Sequence, residues 1–184
     1  ETGTLSVLAT LAKGSLIIKN FNPNLIQTEL NILKKIGAKI KTSKDKIHIH
    51  GPQKIKSIRN ITTKEYEGFP TDLQPQFMVL LCKANGISTI TENIFQGRFI
   101  HVMELQRLGA KITIKDSTAI IEGNANFSGS EVMSSDLRAS AALVLAGIVS
   151  TGKTIISRIY HLDRGYEKIE NKLKKIGVKI KRLS

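Results

Sequence analysis

The pattern of apolar and polar positions repeats three times along the chain. Each copy has an amphipathic segment that ends in Leu-x-x-(Ile/Leu)-Gly, followed by residues that alternate with a period of two. The copies begin at Leu33, Leu105 and Leu173, which are 72 and 68 residues apart. Glycine at this place is typical of a helix C-terminus, because glycine adopts the left-handed conformation most easily. The pattern therefore predicts a helix that leads directly into a strand in each copy.

The remaining segments complete a repeat of about 70 residues with the order helix, strand, helix, strand, strand, strand. Apolar runs predict helices, and short alternating runs predict strands. The predicted apolar helices are 4–12, 71–84 and 135–149, and the further predicted strands are 15–20, 46–51, 57–62, 88–91, 118–123, 130–134 and 154–158. The third copy lacks a hairpin partner after 178–181, and no strand leads into Glu1. We therefore expect one nearly complete α/β domain over residues 1–184, with two strands of the repeat missing.

Composition favours a globular protein in a reducing compartment. The chain is 41% hydrophobic and 23% charged, which is typical of a chain with a packed core. The longest apolar run, 139–149, is shorter than the roughly 20 residues of a membrane span, and the start of the chain does not resemble a signal peptide. A single cysteine, Cys82, excludes a disulfide framework and lies in an apolar run, where we expect a buried, unreactive thiol. We expect a cytoplasmic protein.

The net charge of +13 raises the question of nucleic-acid binding. The excess lies in two blocks, 33–64 and 171–184, whereas 65–170 carries ten basic and twelve acidic residues. Only 5% of the residues are aromatic and none is Trp, so side chains for base stacking are scarce. We therefore interpret the two blocks as solvated faces. A basic RNA-binding module remains the alternative from another class.

Two carboxylates occupy corresponding positions in the repeat. Asp72 follows Thr71 and Asp136 follows Ser135, and each pair opens an apolar helix. An acidic residue in the first turn is stabilised by the helix dipole, so capping is the simplest interpretation of both. The four histidines show no metal-ligand spacing, and we expect no metal.

Three of the seven arginines, Arg98, Arg138 and Arg164, stand out among the 28 basic residues because each falls within a sequence motif described below. Arginine is expected where a planar carboxylate or a phosphate is bound by two parallel hydrogen bonds. Simpler alternatives are ion pairs of Arg164 with Asp163 and of Arg138 with Asp136. Such pairs contribute little stability when they are exposed.

Several motifs in the same order resemble those of a known family, the UDP-N-acetylglucosamine 1-carboxyvinyltransferases, which are enolpyruvyl transferases. The resemblance covers essentially the whole chain and corresponds to the C-terminal portion of the family. It implies an inside-out α/β barrel built from three βαβαββ-like units, the third of them incomplete here. The motifs are Glu1-Thr-Gly-Thr4, Phe69-Pro-Thr-Asp-Leu-Gln74, Thr91-Glu92 with Arg98-Phe99 and His101, Ser135-Asp-Leu-Arg-Ala-Ser140, Val144-Leu-Ala-Gly147 and Arg158-Ile-Tyr-His-Leu-Asp-Arg-Gly-Tyr-Glu167.

The resemblance also implies an activity, which is transfer of the enolpyruvyl group of phosphoenolpyruvate to the 3-hydroxyl of UDP-N-acetylglucosamine with release of phosphate. This reaction is the first committed step of peptidoglycan synthesis and needs no cofactor. Asp72 would accept the proton of the hydroxyl, and Arg164 would close on phosphoenolpyruvate. The implied substrate-binding residues are Asp72, Ile94, Arg98, Asp136, Arg138 and Arg164.

A second domain, supplied in cis or in trans, would carry the proton donor, a lysine and a reactive cysteine of the family. We therefore expect this chain alone to be inactive. The near alternative is the related transferase that acts on shikimate 3-phosphate. We expect no membrane partner and no specific nucleic acid.

Overall fold

The computed structural model describes residues 1–183, and Ser184, the last residue of the predicted domain, lies outside the described residues. The helices are α1 (Thr2–Leu11), α2 (Gln27–Ile36), α3 (Gln74–Cys82), α4 (His101–Arg107), α5 (Leu137–Ile148), α6 (Tyr160–Asp163) and α7 (Ile169–Lys175). The strands are β1 (Ser15–Lys19), β2 (Lys39–Ser43), β3 (Lys46–His50), β4 (Ile61–Thr62), β5 (Ile87–Thr91), β6 (Lys111–Lys115), β7 (Thr118–Glu122), β8 (Glu131–Met133) and β9 (Ile155–Ser157).

Three inner helices, α1, α3 and α5, form the centre of the domain. Helix α3 packs against both α1 and α5, and nearly all residues of the three helices are buried. Each is apolar around most of its circumference, as expected for a helix enclosed on all sides. The predicted helix 71–84 is shorter in the structure, with a 3-10 turn at Thr71–Leu73 before α3. Pro75 explains this start, because proline fits the first turn of an α-helix but not its interior.

The outer helices α2, α4 and α7 each bury one side against the core. All three end as predicted at a glycine with positive φ: Gly37 at 117°, Gly109 at 106° and Gly177 at 93°. After Gly37 and Gly109 the chain enters β2 and β6 almost directly. The predicted helix–glycine–strand order is therefore confirmed in the first two copies.

The strands form three separate sheets outside the inner helices. The first has the order β1-β3-β2 and is antiparallel, the second has the order β4-β5-β7-β6, and the third is the pair β8-β9. The pairs β4/β5 and β8/β9 are parallel, and an inner helix connects the two strands of each pair. Within the described residues the sheets do not close into a continuous barrel.

The third copy differs from the prediction, because residues 178–181 do not form a strand. The corresponding strand of the second sheet, β6, pairs only with β7. The described residues contain no counterpart of β7 after Gly177, so 178–181 has no strand to bond with. The three sheets thus have three, four and two strands. Measured against four strands for each repeat, three strands are missing from the described residues rather than the two predicted. The predicted strand 57–62 is also reduced, to β4, and an isolated bridge joins the residue before that predicted strand, Lys56, to Asn85.

The basic blocks lie on the outer surface of the domain. Lys34 and Lys35 of α2 are exposed, as are the lysines of β2. Among residues 1–183, no helix has the length and apolar character needed to cross a membrane.

Candidate active site

The residues that build the candidate site follow the carboxyl ends of strands in the two parallel pairs. Thr63 follows β4 and Glu92 follows β5, while Asp136 lies three residues after β8. In open α/β sheets, loops at the carboxyl ends of parallel strands are the usual position of ligand sites. The fold therefore brings distant parts of the sequence to one end of the inner helices.

Asp72 lies between two arginines at this end. Its Oδ1 accepts a hydrogen bond from Arg138 Nε at 2.5 Å and lies 3.4 Å from Arg98 Nη1. The Asp72 side chain is 62% exposed, and both contacts are made by Oδ1. Asp72 does not cap a helix, since the 3-10 turn that contains it has no side-chain cap. Asp72 does lie in the first turn, as predicted, but it makes no capping hydrogen bond.

Arg98 is held in place from two sides. Its Nη1 donates to the Thr71 hydroxyl at 2.7 Å, and its guanidinium stacks over the Phe95 ring at 4.1 Å. The Arg98 side chain is therefore mostly buried, whereas the carboxylate it faces is open to solvent. An arginine fixed by stacking and by a hydroxyl loses less side-chain freedom when it binds an anion.

Asp136, in contrast to Asp72, caps a helix. Its Oδ1 accepts hydrogen bonds from the backbone N–H groups of Arg138 and Ala139 at the start of α5. Burial raises the pKa of this carboxyl, but the two backbone bonds, a hydrogen bond from the Ser135 hydroxyl and the charge of His101 together leave the pKa below its ordinary value. The predicted ion pair of Arg138 with Asp136 is wrong, because the Arg138 guanidinium pairs with Asp72 instead.

Arg164 lies at the edge of this cluster. It is exposed at the C-terminus of α6, and Asp163 pairs with Arg182 at 2.6 Å rather than with Arg164. Gly165 packs so closely on the first residue of α5 that a Cβ there would lie 2.9 Å from Leu137 Cδ2. Tyr166 then donates to or accepts from the Thr4 hydroxyl at 2.7 Å. The loop is thus anchored beside Asp136, and within residues 1–183 no ion pair holds Arg164.

Ile94 occupies the loop after β5. Its backbone N–H donates to Glu92 Oε1 at 2.9 Å, and the next N–H, of Phe95, donates to the same oxygen at 3.1 Å. The structure therefore brings Asp72, Ile94, Arg98, Asp136 and Arg138 to one place and leaves Arg164 beside them without a direct contact.

A cavity of about 310 Å³ opens next to the arginines, and its wall includes Arg98, His101, Asp136 and Arg138. His101 is buried at the start of α4, and its Nε2 has no hydrogen-bond partner among the described residues. Burial lowers the pKa of His101 to about 4, although the charge of Asp136 opposes the shift. The imidazole is therefore neutral at pH 7.

This histidine predicts a loss of stability in mild acid. A histidine with an unfolded pKa of 6.5 and a folded pKa of about 4 stabilises the fold above pH 6.5, and the contribution is lost as pH falls towards 4. The free energy of unfolding should fall by about 2 kcal/mol between pH 7 and pH 5 on this account. Urea denaturation at a series of pH values should show a flatter dependence for His101→Gln. The exposed His50→Gln serves as the control, and equal slopes for His101→Gln and the unsubstituted protein would contradict the account.

Glu92 is a site residue to which sequence reasoning assigned no role, and for Thr71 the sequence suggested only helix capping. Glu92 is only 4% exposed, and its carboxylate lies beneath the loop that carries Ile94 and Arg98. The signal that was available is an acidic residue placed directly after an alternating strand, where an exposed turn residue is the ordinary expectation.

The predicted inert state of Cys82 is confirmed. The thiol is fully buried in α3, and burial raises its pKa to about 12. Across residues 1–183, no group of three His, Cys, Asp or Glu side chains converges in a way that could hold a metal ion.

Comparison with known proteins gives consistent matches. A family model described as EPSP synthase (3-phosphoshikimate 1-carboxyvinyltransferase) matches residues 1–173. A protein of Pelagibacter ubique named UDP-N-acetylglucosamine 1-carboxyvinyltransferase is 57% identical over all 184 residues, and one of the same name from Desulfosudis oleivorans is 51% identical. The chain spans 44% of the length of each of these relatives.

The fold is also similar to a solved structure, the enolpyruvyl transferase NikO from Streptomyces tendae. The TM-score is 0.88 at 26% identity, and the match covers 98% of this chain and 43% of the other. The predicted fold class, with helices inside and sheets outside, is thereby confirmed.

Proposed function

Because the chain belongs to the enolpyruvyl transferase family, we propose that it is one domain of a two-domain enzyme that transfers the enolpyruvyl group of phosphoenolpyruvate to UDP-N-acetylglucosamine. The acceptor would be the 3-hydroxyl of the sugar, and phosphate would be released. The names of the relatives that are 57% and 51% identical support this acceptor. The proposed setting is the cytoplasm, where the reaction would begin peptidoglycan synthesis.

The arrangement of Asp72 is the observation that carries the proposal. Its Oδ1 is held by Arg98 and Arg138, so the carboxylate has a fixed orientation, while its exposed side leaves Oδ2 open to a substrate. A carboxylate fixed in this way is suited to accept a proton from a hydroxyl group that attacks a neighbouring carbon. In the proposed reaction the sugar oxygen adds to C2 of phosphoenolpyruvate as Asp72 takes its proton.

The arginines supply the positive charge for an anionic substrate. Phosphoenolpyruvate carries a carboxylate and a phosphate, both of which suit guanidinium groups with parallel N–H donors. Arg98 and Arg138 lie on the cavity wall, and we assign Arg164, exposed and unpaired within residues 1–183, to close on the substrate from the side. Asp136 keeps the start of α5, and with it Arg138, in place.

The remaining chemistry is assigned to the second domain. Addition requires a proton on the methylene carbon of phosphoenolpyruvate, which becomes a methyl group, and the tetrahedral intermediate then loses one methyl proton together with phosphate. We propose that the proton donor and a lysine that binds phosphoenolpyruvate lie in the second domain. The reactive cysteine is assigned there too, because Cys82 is buried and protonated. Ile94 would contact the nucleotide sugar through its backbone.

The test is phosphate release by the complete protein that contains this chain. Phosphoenolpyruvate is supplied with either UDP-N-acetylglucosamine or shikimate 3-phosphate. We expect turnover only with the nucleotide sugar, and none from residues 1–184 alone. Turnover with shikimate 3-phosphate instead would favour the related transferase, and turnover by the 184 residues alone would contradict the division of the site between two domains.

A further inference from the structure

The buried carboxylate of Glu92 lies directly beneath the proposed site and accepts hydrogen bonds from several neighbours. Its Oε1 accepts from the Thr63 hydroxyl at 2.8 Å and from the backbone N–H groups of Ile94 and Phe95. Its Oε2 accepts from the Thr71 hydroxyl at 2.8 Å. Burial of a carboxylate is costly unless its oxygens are hydrogen-bonded, and here four donors satisfy them.

Two neighbouring N–H groups determine which atom donates in the bonds between Glu92 and the two threonine hydroxyls. Arg98 Nη1 donates to the Thr71 oxygen at 2.7 Å, and the Asn93 N–H donates to the Thr63 oxygen at 2.8 Å. Each threonine oxygen thus receives one hydrogen, and its own hydroxyl hydrogen points to Glu92. Both oxygens of Glu92 act only as acceptors, as in an ionised carboxylate.

From this chain of bonds we propose that Glu92 is a positioning residue of the transferase site. It orients the Thr71 hydroxyl so that its oxygen receives Arg98, and it holds the backbone of Ile94 and Phe95, the residue on which Arg98 stacks. Glu92 thereby sets where the Arg98 guanidinium lies relative to Asp72 without touching substrate itself. The inference rests on the proposed function, since it concerns the geometry of that site.

A Glu92 that only anchors the loop would need different hydrogen bonds from a Glu92 that positions Arg98. A carboxylate that only anchors the loop needs the three bonds at Oε1, which an amide oxygen can also accept. A positioning role needs the bond at Oε2, because that bond orients Thr71. Glu92→Gln separates the two, since it keeps an acceptor for the three loop donors and replaces Oε2 with an N–H₂ group to which Thr71 cannot donate.

The variants are tested in the complete protein with phosphoenolpyruvate and UDP-N-acetylglucosamine. Glu92→Gln should lower kcat/KM by about 10- to 100-fold, as expected when a binding group is displaced by a fraction of an ångström to 1 Å. Thr71→Val, which removes the hydroxyl at nearly constant shape, should give a similar loss. The double variant should be no worse than either single one, and Thr71→Ser, which restores the hydroxyl, should recover most of the activity. Glu122→Gln, at the exposed end of β7, is the matched control and should be unchanged.

Two results would overturn the proposal. One is unchanged kcat/KM in Glu92→Gln. The other is a loss of kcat/KM in Glu92→Gln that adds to the loss in Thr71→Val and is accompanied by a lower melting temperature. That result would indicate that Glu92 only anchors the loop. If the unsubstituted protein turns over neither acceptor, the proposed function fails. In that case crystal structures of the Glu92→Gln and unsubstituted proteins test the positioning role without an activity assay. An unchanged position of the Arg98 guanidinium relative to Asp72 would refute that role.

Discussion

Replacing Asp72 with Asn should lower kcat of the complete protein by about 10²- to 10⁴-fold, the usual contribution of a general base. The amide keeps the shape of the side chain and an oxygen for Arg138, but it cannot take a proton from the sugar hydroxyl. Removing a negative charge from between Arg98 and Arg138 also leaves the site more positive. KM for phosphoenolpyruvate should therefore not rise.

Steady-state kinetics with phosphoenolpyruvate and UDP-N-acetylglucosamine measure both effects. Asp45→Asn is the matched control, because Asp45 is exposed in the turn between β2 and β3. Its kcat should equal that of the unsubstituted protein. A normal kcat for Asp72→Asn would show that Asp72 does not act as a base. A rise in KM with constant kcat would indicate a binding role only.

The second large effect concerns stability. Gly123 lies where the chain leaves β7 and crosses the end of α3, and a Cβ there would overlap the carbonyl oxygens of Ala84 and Gly86. The two neighbouring N–H groups, of Asn124 and Ala125, donate to the carbonyls of Ala84 and Cys82 at 2.9 and 2.8 Å. Gly123→Ala must therefore displace backbone, and we expect a loss of about 3 kcal/mol or more in the free energy of unfolding.

Chemical denaturation of the purified protein measures this loss. Gly14→Ala is the control, because Gly14 has open space around its Cβ position and no left-handed φ. Alanine at such a position leaves stability unchanged or raises it by about 0.4 to 1 kcal/mol. If Gly123→Ala were as stable as Gly14→Ala, the close approach of the strand end to α3 would be wrong.

The parts of the fold that the sequence predicts well are those decided by local chemistry. The helix ends at Gly37, Gly109 and Gly177 need only a residue that adopts a positive φ, so they can be identified from the sequence. Residues 178–181 show the limit. Their alternation is typical of a strand, but a strand also needs a partner, and partners are supplied from elsewhere in space.

The same limit applies to the site. Asp72 and Asp136 have equivalent sequence contexts, yet one pairs with arginines and the other caps α5. Pro75 delays the start of α3, so that Asp72 lies in a 3-10 turn, and the Arg138 side chain that pairs with Asp72 comes from 66 residues later in the chain. The role of Glu92 cannot be predicted from the sequence for a similar reason. Its hydrogen-bond donors come from three separate segments that meet only in the folded chain. Arg98 and Arg138, by contrast, follow from residue type, since arginine is rare in this lysine-rich sequence.

The enclosed position of α1 has a consequence for synthesis of the protein on the ribosome. The Thr4 hydroxyl in α1 bonds Tyr166, which is 162 residues later in the chain. At typical translation speeds of 5 to 20 residues per second, about 10 to 30 s separate the two residues. Helices α2 and α3 and strands β1 and β3, which also pack on α1, are made within the first 82 residues, so only the part of α1 that faces Tyr166 waits for the later residues. The bond between Thr4 and Tyr166 therefore closes the domain late, after the units around α1 and α3 have been synthesised.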